Sequence, residues 1–374
     1  MDTSKIKLPY LLADVYKASE KNLFKVVSTF AGGGGSSTGY RLAGGNILAI
    51  NEFVKKAQEC YSRNYPNTFI FKQDIRKLSG KRILKKLNLK VGELDILDGS
   101  PPCSGFSMAG LREKGWGEII KYSDTEQVVD DLFFEFARLV KSLQPKVFIA
   151  ENVKGLTVGP AKSKLGVSQI AIFETKEKTI IDELKKCGYN VKYKILNAMY
   201  YSVPQSRERL IIIGVRTDIK HIITFPKKQF PISSVEQAFE NLINDSVTNC
   251  LNNKNTMIYD LWKNVKPGET FEKAHKAKFK KKGNFSRQKI DKNLPCKTLT
   301  THESDLQHYS ENRKLTIPEA IRIQTFPDDY YLGETYSKQY ERLGRAVSPL
   351  MMKAIAEHVY KTILKPYYNE NRQK

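Results

Sequence analysis

Apolar-rich runs recur along the first part of the chain at residues 24–30, 47–50, 69–75, 94–98, 146–150, 189–199 and 209–215. Each is short and bounded by turn residues, the pattern of strands buried on both faces. Between them the spacing is helical at 132–140 and at 180–187, and a short helix at about 40–44 follows a glycine cluster. Leu8, Leu11, Leu12 and Val15 predict an amphipathic helix within 8–24 that leads into the fold. Strand and helix alternating in this way predict a doubly wound α/β domain. Beyond Thr217 the apolar spacing is irregular to about residue 312. Helical period returns at 317–325, with Pro318 suited to a first turn, and at 348–362.

A parallel sheet collects ligands at the carboxyl ends of its strands, so the residues there decide the chemistry. The run 24–30 passes directly into Ala31-Gly32-Gly33-Gly34-Gly35. Glu52 ends the next strand, at the spacing of a nucleotide-type cofactor site: glycines admit the ligand and the acid grips ribose hydroxyls. A tight connecting turn is the plainer reading, and the absence of G-x-x-x-x-G-K-[ST] argues against an NTPase loop. Asp74, at the end of the third strand, can meet a base edge or simply face solvent. The fourth run ends in Gly99-Ser100-Pro101-Pro102-Cys103, where Cys103 is either a nucleophile or a structural thiol in a stiff turn. Glu151 tips the fifth run. On a strand adjacent to that of Cys103 it shares the same edge, and burial there would raise its pKa and let it hold a proton. Arg207 and Arg209, at i and i+2, are expected to point the same way, toward an anionic or carbonyl-bearing ligand. The stretch 108–124 mixes Gly110, Gly115 and Gly117 with Arg112, Lys114 and Trp116, which suits a lid or a surface loop.

Charge narrows the partners. The net charge of +22 over 374 residues favours nucleic acid first and an anionic membrane surface second, beside a merely lysine-rich surface. Between 273 and 289 lie eight basic residues and no acidic one, interleaved with Phe279 and Phe285. Five cysteines form no C-x-x-C pair and five histidines no H-x-E or H-E-x-x-H pattern, so no metal is expected and a reducing compartment is. No signal peptide and no membrane-length apolar run are evident, so the expectation is a soluble, intracellular protein.

Together these segments resemble the DNA (cytosine-5) methyltransferase family, of the bacterial restriction–modification type, over nearly the whole chain. Phe30-Ala31-Gly32-Gly33-Gly34-Gly35 is similar to its F-A-G-x-G-G loop, and Pro101-Pro102-Cys103 with Phe106-Ser107 to its P-P-C-x-x-F-S loop. Glu151-Asn152-Val153 matches E-N-V, and Gln205, Arg207 and Arg209 match Q-x-R-x-R. The block 313–328 and Gly344-Arg345-Ala346-Val347 resemble its late motifs. Two departures stand out: Ser104 replaces a common Gln, and Arg345 a usual Asn.

The resemblance implies a Rossmann-like methyltransferase sheet over 1–216, completed by about 330–374, with a smaller target-recognition domain at 217–329. It implies S-adenosyl-L-methionine at Phe30, Ala31, Gly32, Gly34, Gly35, Glu52, Asp74, Ile75 and Leu132. Cys103 would attack cytosine C6, Glu151 would serve N3, Arg209 would hold O2 and Arg207 would brace the site. Ser104, Ser107, Gln205, Thr298 and Leu299 would meet the DNA, whose target base must flip out of the duplex. The implied protein is a sequence-specific modification methyltransferase, a monomer acting on double-stranded DNA without a metal or a membrane. It would be cytoplasmic and nucleoid-associated, and a cognate restriction endonuclease would share its site. A tRNA-modifying relative is disfavoured by the long basic segment at 217–312. A catalytically dead DNA-binding protein is disfavoured by Cys103, Glu151 and Arg209 occurring together.

Overall fold

Phe24–Thr29 (β1) is the axis of a seven-stranded sheet, with Val26, Val27, Ser28 and Thr29 all buried. The other strands are β2 (Gly45–Asn51), β3 (Phe69–Phe71), β4 (Ile96–Gly99), β7 (Val147–Val153), β8 (Tyr189–Asn197) and β10 (Glu208–Arg216). A two-stranded antiparallel ladder, β5 (Ile120–Tyr122) with β6 (Thr125–Gln127), and the short β9 (Gln205–Ser206) lie outside this sheet. The order is β3-β2-β1-β4-β7-β10-β8. The pairs β3–β2, β2–β1, β1–β4 and β4–β7 are parallel, and β10 runs antiparallel to β7. The computed structural model describes residues 8–101, 120–122, 125–127, 132–154, 180–243, 250–254, 256–281 and 287–372. Cys103, Ser104, Ser107 and most of the glycine-rich stretch 108–124 lie outside these residues.

The helices of the sheet region are α1 (Leu12–Ser19), α2 (Gly35–Leu42), α3 (Lys55–Asn64), α4 (Gly80–Leu87), α5 (Leu132–Leu143) and α6 (Ile180–Lys186). The α5 helix buries Leu132, Phe133, Phe136, Leu139, Val140 and Leu143 against Val27, Leu97, Phe148 and Ile212 of the strands. Phe136 and Phe148 meet edge to face at 6.0 Å. Each such side chain contributes about 1.5–3 kcal/mol on burial, so this face anchors the sheet.

The predicted strands are present, with shifted ends that have local causes. The run 69–75 stops at Phe71 because the Asp74 carboxylate accepts the Arg76 amide at 2.9 Å and caps a single 3-10 turn, Ile75–Lys77. The run 189–199 stops at Asn197, whose side chain caps a second such turn, Ala198–Tyr200. The helix expected within 8–24 is confined to Leu12–Ser19, and the one expected at 40–44 begins earlier, at Gly35.

The chain divides into two compact units. The larger comprises Tyr16–Leu196, Glu208–Lys227 and Lys353–Lys374 and holds the seven-stranded sheet; the smaller comprises Met1–Val15, Asn197–Arg207 and Lys228–Met352. In the smaller unit lie α7 (Val235–Phe239), α8 (Met257–Trp262), α9 (Phe271–Phe279), α10 (Ile317–Gln324) and α11 (Tyr336–Arg345). Its ladders are two residues long: β11 (Gln288–Lys289) with β13 (Leu306–Gln307), and β12 (Cys296–Lys297) with β9. Leu261, Val265 and Phe271 form a small core there. Thr316 and Glu319 close a capping box on α10, with Pro318 in its first turn as expected. The chain then enters α12 (Pro349–Val359) and ends in α13 (Lys365–Arg372). Among the described residues no helix is long and apolar enough to cross a membrane, and no three His, Cys, Asp or Glu side chains cluster as a metal site.

Candidate functional site

The winding of the sheet reverses between β1 and β4, which pair in parallel with Thr29 opposite Gly99. Connections leave these two strands in opposite directions and open a crevice at their carboxyl ends. From β1 the chain passes into the glycine loop. Phe30 and Gly32 take positive φ angles of 53° and 54°, and Gly34, at 96°, leads into α2. A Cβ placed on Gly32 would meet no atom within 4 Å, so the backbone there faces open space. Glu52, at the tip of β2, accepts the Gly32 amide on Oε2 and the Val54 amide on Oε1, both at 2.8 Å. Phe30, Ile75 and Leu132 belong to one hydrophobic cluster beside this loop. Asp74 keeps its carboxylate on the Arg76 amide and, at 3.0 Å, on the Arg76 guanidinium. The loop, Glu52 and the apolar wall together fit a nucleoside-bearing cofactor.

The adjacency expected of Glu151 and the Cys103 strand holds: β4 and β7 pair in parallel, with Gly99 opposite Ala150. Asn152, quoted in the motif without a role, donates from Nδ2 to the Pro101 carbonyl at 3.0 Å. That bond fixes the chain two residues before Cys103. Glu151 is buried and ion-paired, Oε1 lying 2.9 Å from Arg209 Nε. The antiparallel register, Ile211 opposite Glu151, puts Arg209 on the same face. Burial pulls the Arg209 guanidinium below its ordinary value, and the Glu151 charge opposes that pull.

Asp98 is a site feature that pattern reading passed over. It is 1% exposed, receives Ser28 Oγ at 2.5 Å and the Tyr40 hydroxyl at 3.1 Å, and lies opposite Ile149, two residues before Glu151. Desolvation pushes its carboxyl up to about 7; hydrogen bonds from Ser28 and Tyr40 hold it down, and the Glu151 charge adds to the rise. The signal was available, since an aspartate inside a fully buried apolar run is rare without a partner.

Arg207 and Arg209 take different protein partners, although their spacing suggested a common direction. Arg207 is 2% exposed and belongs to the smaller unit, where it donates to the carbonyls of Leu299 (3.0 Å), Gly344 (2.8 Å) and Ala346 (3.1 Å). Gln205, fully buried, accepts the Leu299 amide at 2.9 Å and donates to Gln324 at 2.7 Å. Thr298 donates to the Ser206 carbonyl at 2.9 Å. The Leu299 side chain is fully buried, so these residues hold the turn and Thr298 is its more accessible member. Arg345 pairs with Glu341 at 3.0 Å along α11.

The sequence pattern of the C-5 cytosine-specific DNA methylases matches residues 24–361. The chain belongs to that family. It is accordingly a DNA cytosine-5 methyltransferase, with S-adenosyl-L-methionine as cofactor. Similar curated relatives are the Type II methyltransferase M1.HphI of Haemophilus parahaemolyticus, 32% identical over 90% of this chain and 86% of its own, and M.Sau96I of Staphylococcus aureus, 32% identical over 92% and 77%. A solved structure of a DNA modification methyltransferase encoded within an E. coli prophage superposes with a TM-score of 0.69 at 22% identity, covering 91% of this methyltransferase and 99% of that chain. Spodoptera frugiperda DNMT2 gives 0.62 at 18% identity, over 91% and 99%; both structures bear out the Rossmann-like fold.

Proposed function

We propose that this methyltransferase is the modification enzyme of a Type II restriction–modification system, marking one cytosine in a short duplex sequence through a covalent adduct at Cys103. The observation that carries the chemical part is the edge of β4 and β7, where Asn152 ties down the chain at Pro101 beside the Glu151–Arg209 pair. The system-level part rests on the Type II methyltransferases it resembles over most of both chains.

When bound, S-adenosyl-L-methionine supplies an electrophilic methyl group on a positively charged sulfur. The Gly32 loop and Glu52 would hold it, with Phe30, Ile75 and Leu132 as the apolar flank. Cytosine C5 is too weak a nucleophile to take that methyl unaided. The Cys103 thiolate forms a bond to C6, which makes C5 electron-rich; a free thiol ionises near about 8.5, so the site must favour the anion. Glu151 serves N3 with a proton, and Arg209 steadies the charge that builds at O2. After transfer the C5 proton passes to water, N3 returns its proton to Glu151 and the sulfur–C6 bond breaks, its electron pair leaving with the sulfur, which restores the ring and the thiolate. The base reaches this pocket only by flipping, at a cost of a few kcal/mol. Gln205 and Arg207 set the Thr298 turn for DNA, with Ser104 and Ser107 beside the nucleophile. The segment 217–329 reads the sequence, and 330–374 completes the catalytic domain. The enzyme acts as a monomer, associated with the nucleoid, alongside an endonuclease of the same specificity.

Bisulfite sequencing of DNA from an unmethylated host expressing the chain tests this reading. One short motif should carry 5-methylcytosine, and Cys103→Ala should erase it. Marks that persist in the variant would remove Cys103 from the mechanism; no mark in either would refute the modification role.

A further inference from the structure

Four polar residues lie in a row across one face of the sheet at the reactive edge: Ser28 on β1, Asp98 on β4, Glu151 on β7 and Arg209 on β10. Ser28 pairs with Asp98, Asp98 with Ile149, and Ile211 with Glu151, so the alternation of strand side chains brings all four to that face. The outer pairs are bonded, Ser28 to Asp98 at 2.5 Å and Glu151 to Arg209 at 2.9 Å, while the two carboxyl groups are neighbours in the middle. From α2 the Tyr40 hydroxyl reaches the second Asp98 oxygen at 3.1 Å.

We propose that Asp98 is a positioning residue for methyl transfer, acting on the target cytosine only through Glu151. The inference rests on the role of Glu151 given above. Its hydrogen bonds to two different elements fix Asp98 beneath the edge, and its charge sets the field in which Glu151 works. The titratable and charged groups facing Asp98 are Tyr40 from α2 and Glu151 from β7, with Arg209 beyond Glu151 on β10. Tyr40 is itself buried and pushed well above its ordinary value, so it stays a neutral donor. Asp98 is therefore the group beneath the edge that changes charge near neutrality, about 7. Once ionised, it disfavours a second negative charge on the same face. A proton needed at cytosine N3 is then retained by the site to higher pH.

The test is the pH profile of kcat for methyl transfer to duplex DNA, from pH 5.5 to 9, in the unaltered chain and in Asp98→Asn. The substitution keeps the shape and removes the charge. Below pH 6 the two should agree within roughly threefold, and above pH 8 the variant should fall by about tenfold, equivalent to one unit on the pH axis. The KM for S-adenosyl-L-methionine should move less than threefold. Ser28→Ala removes a donor that favours the charged form, so Asp98 stays neutral to higher pH and the fall in kcat should move to lower pH, toward the Asp98→Asn profile, while the maximum is retained. The inference is overturned by an Asp98→Asn profile that coincides with the unaltered one, by a loss equal at every pH, or by a loss confined to KM. If the unaltered chain is active and Glu151→Gln retains full activity, the failure lies in the reading of Glu151 instead.

Discussion

Burial drives the Asp98 carboxyl up to about 7 and the His308 imidazole down to about 4, one residue in each unit. Desolvation is the main cause in both, joined at His308 by repulsion from Arg313 and opposed by Glu319 and Glu311. Their contributions to stability therefore run in opposite directions with pH. Asp98 binds its proton more tightly folded than unfolded, so its contribution is complete below its ordinary 3.8 and is lost as pH rises through 7. His308 binds its proton less tightly folded, so its contribution is complete above 6.5 and is lost as pH falls through 4. Urea denaturation between pH 4 and 7.5 should show Asp98→Asn removing a decline and His308→Gln removing a rise. Either variant leaving the slope unchanged would contradict the burial account. At this scale the sequence was legible where a residue type announced its chemistry, as with Glu52 at a strand tip. It was not legible for Ser28, Tyr40 and Asp98, which are brought together from three elements by register and by packing that no local pattern encodes.

Among the elements, the turn at Thr298–Thr300 is held from several directions within the smaller unit. Gln205 and Arg207 bond its backbone, and Gly344 of α11 approaches it so closely that a Cβ would lie 2.2 Å from the Thr300 carbonyl oxygen. That contact is backbone and cannot swing aside, so Gly344→Ala should cost about 1–3 kcal/mol or shift the turn. Chemical denaturation measures the first, and loss of DNA binding with retained S-adenosyl-L-methionine binding reveals the second. Arg207→Lys should cost more than its conserved charge suggests, because an ammonium cannot reproduce a guanidinium fork on three carbonyls. A denaturation midpoint matching the parent would show that the fork is dispensable. Element identity was legible for buried strands, whose apolar runs differ sharply from their flanks. It failed between 217 and 312 because ladders two residues long, such as β11 with β13 and β9 with β12, leave no alternating pattern to detect. The opposite fates of Arg207 and Arg209 escaped for a related reason: β9 ends at Ser206 and β10 begins at Glu208, so one continuous period does not span both.

For the whole molecule, a net charge of +22 admits two accounts: a phosphate footprint, or a basic surface that attracts DNA without docking it. They differ in where the charge matters. Each phosphate contact releases condensed counterions, so the logarithm of the binding constant falls with the logarithm of salt by about 0.9 per contact on duplex DNA. The basic segment at 273–289 includes Lys276 in the last turn of α9, followed by Lys280 and Lys281. The α4 helix of the larger unit carries exposed Lys81, Lys85 and Lys86, a cluster of equal charge on a helix between β3 and β4. If 273–289 tracks the DNA backbone, changing Lys276, Lys280 and Lys281 to Gln should lower the salt slope by about 2 to 3, and changing the α4 lysines should leave it within about 0.5. Equal effects from both triples, read by fluorescence anisotropy between 50 and 200 mM salt on duplex DNA, would mean that the field of the whole surface governs association. In that case the assignment of the footprint to 273–289 falls, because three charges placed anywhere would then have served as well.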